Sequence, residues 1–279
     1  MTFWRQLYGE ATVRLGHAQA ARWFVEDASG GTWPAVLDER VPEAAARMFF
    51  SLVERREAGE PVQYVLGHWS FRRLDLMVDR RVLIPRPETE VVVEVALAEL
   101  GELGARAPVV VDLGTGSGAI ALSILAEHPT AHVWATDVSP DALDVASANL
   151  SGLGVSVAGR GRLVRGDWWS ALPESLMGAV DLVVTNPPYV AGDDRDALPA
   201  EVCQWEPMGA LVPGPTGLEA LHAIVVGAAK WLAPRSALVA EIAPDQAGPV
   251  TAMAMAAGFA HAAVRPDLTG RDRALVARR

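Results

Sequence analysis

Val109-Val110-Val111-Asp112-Leu113-Gly114-Thr115-Gly116-Ser117-Gly118 is the stretch that decides the fold class. A β-branched apolar run reads as a buried strand, the three glycines as a tight turn, and Ala119–Glu127 beyond them as a helix. Such a turn lets the backbone approach a ligand closely, and free N–H groups at the helix start face it. Gly114, Gly116 and Ala119 also satisfy the loose dinucleotide pattern, so this loop alone admits a nicotinamide or flavin enzyme. The next strand, residues 132–138, places Asp137 at its carboxyl end, about twenty residues beyond the glycine loop, where an acid takes both hydroxyls of a ribose. A helix cap is the plainer reading of Asp137, but Ser139, directly before Pro140, is the better cap. A third strand, residues 162–165, ends in Gly166-Asp167-Trp168-Trp169. An acid and an indole there can hold the exocyclic amine and the ring face of an adenine.

A fourth strand, Val180 to Thr185, runs into Asn186-Pro187-Pro188-Tyr189. This loop fits a particular chemical problem, methyl transfer to an amide or aromatic amine nitrogen. The lone pair of such a nitrogen is delocalised and must be drawn out of conjugation before it can attack. Acceptors on its two hydrogens do this: the Asn186 side-chain oxygen is one, and a backbone carbonyl, that of Pro187, is the second. Two prolines fix φ and remove donors, so the loop is stiff and displays carbonyls. Tyr189 offers a flat face to a planar group. Four ligand-facing loops at the carboxyl ends of four successive strands are the arrangement of an open α/β sheet, and their order suits S-adenosylmethionine better than a dehydrogenase cofactor.

Further segments carry a resemblance. They are Gly59-Glu60-Pro61-Val62-Gln63-Tyr64 with Gly67, Leu83-Ile84-Pro85-Arg86-Pro87-Glu88-Thr89-Glu90, Glu206-Pro207 with Ala210-Leu211, and Asp267-Leu268-Thr269-Gly270-Arg271-Asp272-Arg273. With the two loops above they resemble the release-factor glutamine methyltransferases, the HemK/PrmC family, over most of the chain from residue 59 onward. The Pro-Arg-Pro-Glu-Thr-Glu segment discriminates best, because Asn-Pro-Pro-Tyr is shared with adenine methyltransferases. The resemblance implies a class I, Rossmann-like methyltransferase sheet of seven strands with an antiparallel last strand. It implies methylation of the glutamine amide in the Gly-Gly-Gln motif of peptide chain release factors, with S-adenosylmethionine as donor. Asn186, Pro187 and Tyr189 would be catalytic, and Pro188 would join them in binding the substrate. Gly114, Thr115, Gly116, Ser117, Gly118, Asp137, Asp167, Trp168 and Asn186 would bind the cofactor. Arg86 has a sufficient role beside a helix start, since Pro87 can open a helix with acids in its first turn. Gln204 stands where the family often has a basic residue.

Composition narrows the class. In 279 residues, 51% of them hydrophobic, the chain can bury one main domain and a smaller one. Residues 1–75 are expected to form a helical domain that recognises the substrate, from helical periodicity over 3–28 and 42–58. Met48, Phe49, Leu52 and Val53 share one face of the second helix. A β-hairpin linker is expected over about residues 62–84 and the catalytic domain over 76–279. A net charge of −10 argues against direct nucleic-acid binding. The single cysteine, Cys203, excludes an internal disulfide, the six histidines suggest no metal site, and nothing in 1–19 resembles a secretion signal. Residues 250–264 are too short and too polar to span a membrane. A monomeric cytoplasmic enzyme acting by direct in-line transfer is expected. The other readings are an adenine N-methyltransferase acting on nucleic acid and a non-catalytic cofactor-binding scaffold.

Overall fold

A computed structural model describes residues 2–279. The chain divides into two compact units, residues 2–68 with 200–205, and residues 69–199 with 206–279. The first is helical: α1 (Trp4–Leu15), α2 (Ala18–Ser29), α3 (Glu43–Glu57) and α4 (Val62–Leu66). The periodicity of residues 3–28 predicts one helix, but there are two. Gly16 turns left-handed at φ 63°, which ends α1, and the His17 ring nitrogen accepts the Ala20 N–H to cap α2. Trp4, Leu7, Phe24, Val25, Phe49, Leu52 and Val53 form the core of this unit. Met48 departs from the expected face and is 46% exposed.

The strand pair is shorter than the expected span of 62–84. It comprises β1 (His68–Phe71) and β2 (Leu74–Met77), whereas residues 62–66 are helical, starting after Pro61 and ending at left-handed Gly67. Arg72 at the turn, φ 51°, donates its backbone N–H to Glu90 (3.1 Å) and its guanidinium to Glu127 (2.6 and 2.8 Å). That pins the hairpin within the larger unit, where Phe71 and Leu76 join the core.

The larger unit carries α5 (Pro87–Leu103), β3 (Val109–Leu113), α6 (Ala119–Glu127), β4 (His132–Asp137), α7 (Pro140–Gly152), β5 (Gly161–Arg165) and β6 (Val180–Thr185). They are followed by α8 (Glu219–Trp231), β7 (Leu232–Glu241), α9 (Ala247–Ala256), β8 (His261–Pro266) and β9 (Asp272–Arg278). The sheet order is β5-β4-β3-β6-β7-β9-β8, and β9 runs antiparallel to both of its neighbours. Side chains alternate across it. Val110, Leu182, Val184 and Val239 meet α5 and α6 on one face, while Val111, Val183, Leu238 and Leu275 meet α8 and α9 on the other. The strand order reverses between β3 and β6, so the crevice of an open α/β sheet falls at their carboxyl ends. The fifth parallel strand begins at Leu232, six residues before the apolar run 238–243 suggests, because Pro234 and left-handed Arg235 interrupt its alternation. Among the described residues, no helix is long and apolar enough to cross a membrane, and no cluster of His, Cys, Asp or Glu could hold a metal.

Candidate active site

The loops after β3, β4, β5 and β6 line one cleft, closed on its other side by Arg81, Val82, Leu83, Pro85 and Thr89 and by Pro207, Gly209 and Ala210. It encloses about 1120 Å³ including its open mouth. That is room for a nucleoside cofactor together with a substrate side chain.

Gly114, Gly116 and Gly118 all have left-handed φ (74°, 56° and 87°), which favours glycine at each. The turn is tied to β4: Gly114 and Thr115 donate their N–H groups to the Thr136 carbonyl (2.9 and 2.8 Å), and Gly116 donates to the Asp137 carboxylate (2.9 Å). Gly118 donates to the Thr115 carbonyl (2.8 Å). The N–H groups of Gly114, Thr115, Gly116 and Gly118 in the turn are therefore committed inside the protein. A pyrophosphate needs such donors, and here it would also meet the carboxylates of Asp137 and Asp167. The cleft suits a cationic ligand without phosphate. Gly118 itself does not line it; a Cβ there would lie 2.9 Å from Leu122 Cδ1, so this glycine lets α6 pack closely.

Asp112 lies wholly buried beneath the turn. Its Oδ2 accepts the Thr115 hydroxyl (2.6 Å) and the Ala121 N–H (3.2 Å), while Oδ1 has no partner. Burial pushes this carboxyl up to about 7, against the pull of those two donors. The folded state thus holds a proton that the unfolded chain releases near pH 4, so Asp112 favours folding at acid pH, and that contribution is lost as pH rises toward 7. Asp112→Asn keeps both accepted bonds and cannot ionise. Its Tm should fall less than that of the unaltered chain between pH 4 and pH 8, with a gain of about 1–2 kcal/mol at pH 8 once the amide's unpaired N–H is counted. Parallel Tm curves would mean that Asp112 does not titrate in this window.

Asp137 is half-buried. Besides Gly116 it accepts the Ser139 N–H (2.9 Å), while Ser139 Oγ accepts the Ala142 N–H (3.2 Å) and is the true cap of α7. Each carboxylate oxygen thus accepts one internal bond and keeps a lone pair. The two neighbouring tryptophans divide. Trp168, at φ 44°, lines the cleft against Gly114, whereas Trp169 turns away, donating to the Ala223 carbonyl (3.1 Å) and stacking on Trp231. Asp167 is exposed at the rim.

Asn186 and Pro188 line the cleft; Pro187 is buried, Tyr189 is half-buried, and neither is among its lining residues. Asn186 Nδ2 donates to Thr89 Oγ1 (3.1 Å), and Thr89 Oγ1 donates to Glu241 Oε2 (2.6 Å). Neither Asn186 Oδ1 nor the Pro187 carbonyl accepts a hydrogen bond from the described residues. Tyr189 donates its hydroxyl to Glu241 Oε1 (3.2 Å), and its carbonyl accepts from Gln246 Nε2 (3.0 Å). Burial first, and the Glu241 charge second, hold the phenol well above its ordinary range. Tyr189 therefore stays a neutral phenol near neutral pH.

Sequence reasoning missed Thr89, Glu241 and Gln246. Thr89 lay inside a quoted motif, but Glu241 reads as an ordinary strand-end acid. Arg86 meets buried Glu206 at 2.5 Å, and Glu206 also accepts the Ile84 N–H (3.2 Å). Two segments recognised separately are thus one contact, and it fixes the wall formed by residues 207–210. Gln204 lies in a short helix, Ala200–Trp205.

A doubly wound seven-stranded sheet with an antiparallel last strand, and a glycine turn opening on a nucleoside-sized acidic cleft, make this a class I methyltransferase. Residues 94–203 match the model of the methyltransferase small domain and residues 13–67 that of the PrmC N-terminal domain. Two solved structures share the fold. They are the hMettl16 catalytic domain in complex with the MAT2A 3′UTR hairpin 6 (TM-score 0.58, 16% identity, 84% of this chain and 81% of that one) and a methyltransferase from Pyrococcus furiosus (0.52, 15%, 84% and 96%). Relatives named release factor glutamine methyltransferase are far nearer in sequence. That of Cereibacter sphaeroides is 46% identical over 86% of this chain and 82% of its own length, and that of Moorella thermoacetica 42% identical over 99% and 98%. The chain belongs to the release factor glutamine methyltransferase family.

Proposed function

We propose that this enzyme methylates the side-chain amide nitrogen of the glutamine in the Gly-Gly-Gln motif of a peptide chain release factor. The observation that carries the reading is the pair of unpartnered acceptors in the Asn-Pro-Pro-Tyr loop, Asn186 Oδ1 and the Pro187 carbonyl. An amide NH2 has two hydrogens; accepting both draws electron density onto nitrogen and fixes the orientation of the group. S-Adenosylmethionine fits the cleft on its chemistry, with a carboxylate for the ribose in Asp137, an indole for the base in Trp168 and no call on the committed N–H groups. Bound there it would supply an electrophilic methyl for in-line attack by the amide nitrogen, leaving as S-adenosylhomocysteine once the sulfur–methyl bond breaks. The chain's own part is positioning. The Asn-Pro-Pro turn holds the acceptors, Tyr189 packs beside the amide plane, and Pro85 and Ala210 exclude water. No strong base is needed beforehand, since the nitrogen becomes acidic only as it gains the methyl group, and its proton then leaves to solvent at the open mouth of the cleft.

A glutamine side chain is small and common, so specificity requires surface beyond the pocket. We assign that role to the helical unit, residues 2–68, acting on the release factor away from its Gly-Gly-Gln loop. The full reading is tested by incubating the chain with methyl-labelled S-adenosylmethionine and intact release factor, release factor with that glutamine replaced by alanine, or DNA or RNA. Label on the first alone is expected. Label on nucleic acid, or on the alanine variant equally, would overturn the substrate assignment.

A further inference from the structure

Glu241 sits at the carboxyl end of β7, 1% exposed. Its two oxygens accept from two hydroxyls on separate elements, Thr89 Oγ1 in the first turn of α5 and Tyr189 at the end of the catalytic loop. Burial raises the affinity of this carboxyl for a proton above the ordinary carboxylate range, and the Thr89 hydroxyl, the Arg273 charge and the Tyr189 hydroxyl offset that only in part. Arg273 is held in turn by Asp267 Oδ2 (3.4 Å) and the Ile242 carbonyl (3.4 Å). One hydrogen-bonded network therefore joins the Pro-Arg-Pro-Glu-Thr-Glu segment to the catalytic loop, and the Arg273 charge acts on it from the Asp267–Arg273 segment.

We propose that Glu241, acting through Thr89, is a positioning residue that decides which end of the Asn186 amide faces the substrate. The direction follows from donor counting. Glu241 Oε2 accepts from Thr89 Oγ1, which uses that hydroxyl's single proton. That leaves only lone pairs on Thr89 Oγ1 toward Asn186, and the group that satisfies them is the NH2 end of the amide. Oδ1 is thereby turned away from Thr89 and left free to accept from the substrate nitrogen. Without the relay, the two amide orientations of Asn186 differ little in energy. A flipped Asn186 would present N–H to an N–H and repel the substrate. The second oxygen of the same carboxyl group accepts from Tyr189, so one buried side chain sets both ends of the loop.

This inference rests on the functional reading above, and its test separates the two. The unaltered chain, Thr89→Ser, Thr89→Val, Asn186→Ala and the double variant Thr89→Val/Asn186→Ala are assayed for methyl transfer to intact release factor and titrated with S-adenosylmethionine. Thr89→Ser keeps the relay and should stay within about threefold of the unaltered kcat. Thr89→Val, of the same shape without the hydroxyl, should lose about 10- to 50-fold in kcat with its affinity for S-adenosylmethionine changed less than about threefold. In the Asn186→Ala background the same change should cost less than about twofold, because the residue it acts through is gone. If Thr89→Val leaves Glu241 stranded and does not fold, Thr89→Val/Glu241→Gln removes the carboxyl together with its donor, and the same loss in kcat is expected. Equal activity of Thr89→Val and the unaltered chain overturns the inference. So does a loss that persists undiminished in the Asn186→Ala background, or one that appears as weaker cofactor binding. No transfer by the unaltered chain overturns the functional reading and this inference with it.

Discussion

Asn186→Ala is expected to lower methyl transfer by about 10²- to 10³-fold, the loss that follows removal of one preorganised hydrogen-bonding group from a reacting centre. Affinity for S-adenosylmethionine should stay within about tenfold, because Asn186 acts mainly on the substrate amide. The alanine takes away Oδ1, one of two acceptors, and leaves the Pro187 carbonyl alone to orient an NH2 group that can then rotate about the remaining bond. It also frees Thr89 Oγ1, which can be satisfied by water where the amide had been. Backbone geometry should persist, since Pro187 and Pro188 fix φ on the far side and Gln246 still holds the Tyr189 carbonyl. Turnover and calorimetry on one preparation decide the matter. A variant that turns over at the unaltered rate would remove Asn186 from the mechanism, whereas a matching collapse in cofactor affinity would make it a binding residue only.

What the sequence discloses is local chemistry, and the site depends on chemistry that crosses the sheet. The glycine turn was legible because three glycines after a β-branched run admit few conformations, and α6 and β6 begin and end where their composition suggests. The pattern could not say where the turn's N–H groups go. That depends on the Thr136 carbonyl arriving from the neighbouring strand through the register that sets Leu113 against Thr136. The break at Gly16 was written in the sequence, but apolar spacing continues through it on both sides, and spacing outweighed a single glycine. Glu241 was illegible for a different reason. Its partner Thr89 is 152 residues away, and an acid at a strand end has no local signature that separates a relay from a solvated charge. Among the segments resembling the family, the contact Arg86–Glu206 shows why two of them occur together.

Asp137→Ala is expected to weaken S-adenosylmethionine binding by roughly 1 to 3 kcal/mol, the scale for losing charge-assisted hydrogen bonds to a ribose. The structure adds a complication, since the same carboxylate anchors the Gly116 and Ser139 N–H groups, and alanine would loosen the turn as well as remove the ligand contact. The two effects separate with a second ligand. If Asp137 meets the ribose directly, a 2′-deoxy analogue of S-adenosylhomocysteine should bind the unaltered chain more weakly than S-adenosylhomocysteine does, and Asp137→Ala should bind the two alike. If Asp137 only braces the turn, the analogue should lose the same factor with both proteins. Unchanged affinity in Asp137→Ala would reduce this residue to a cap beside Ser139. Tight binding of a nicotinamide dinucleotide by the unaltered chain would contradict the argument from the committed N–H groups, because a pyrophosphate would then have found donors that the turn uses to hold itself against β4.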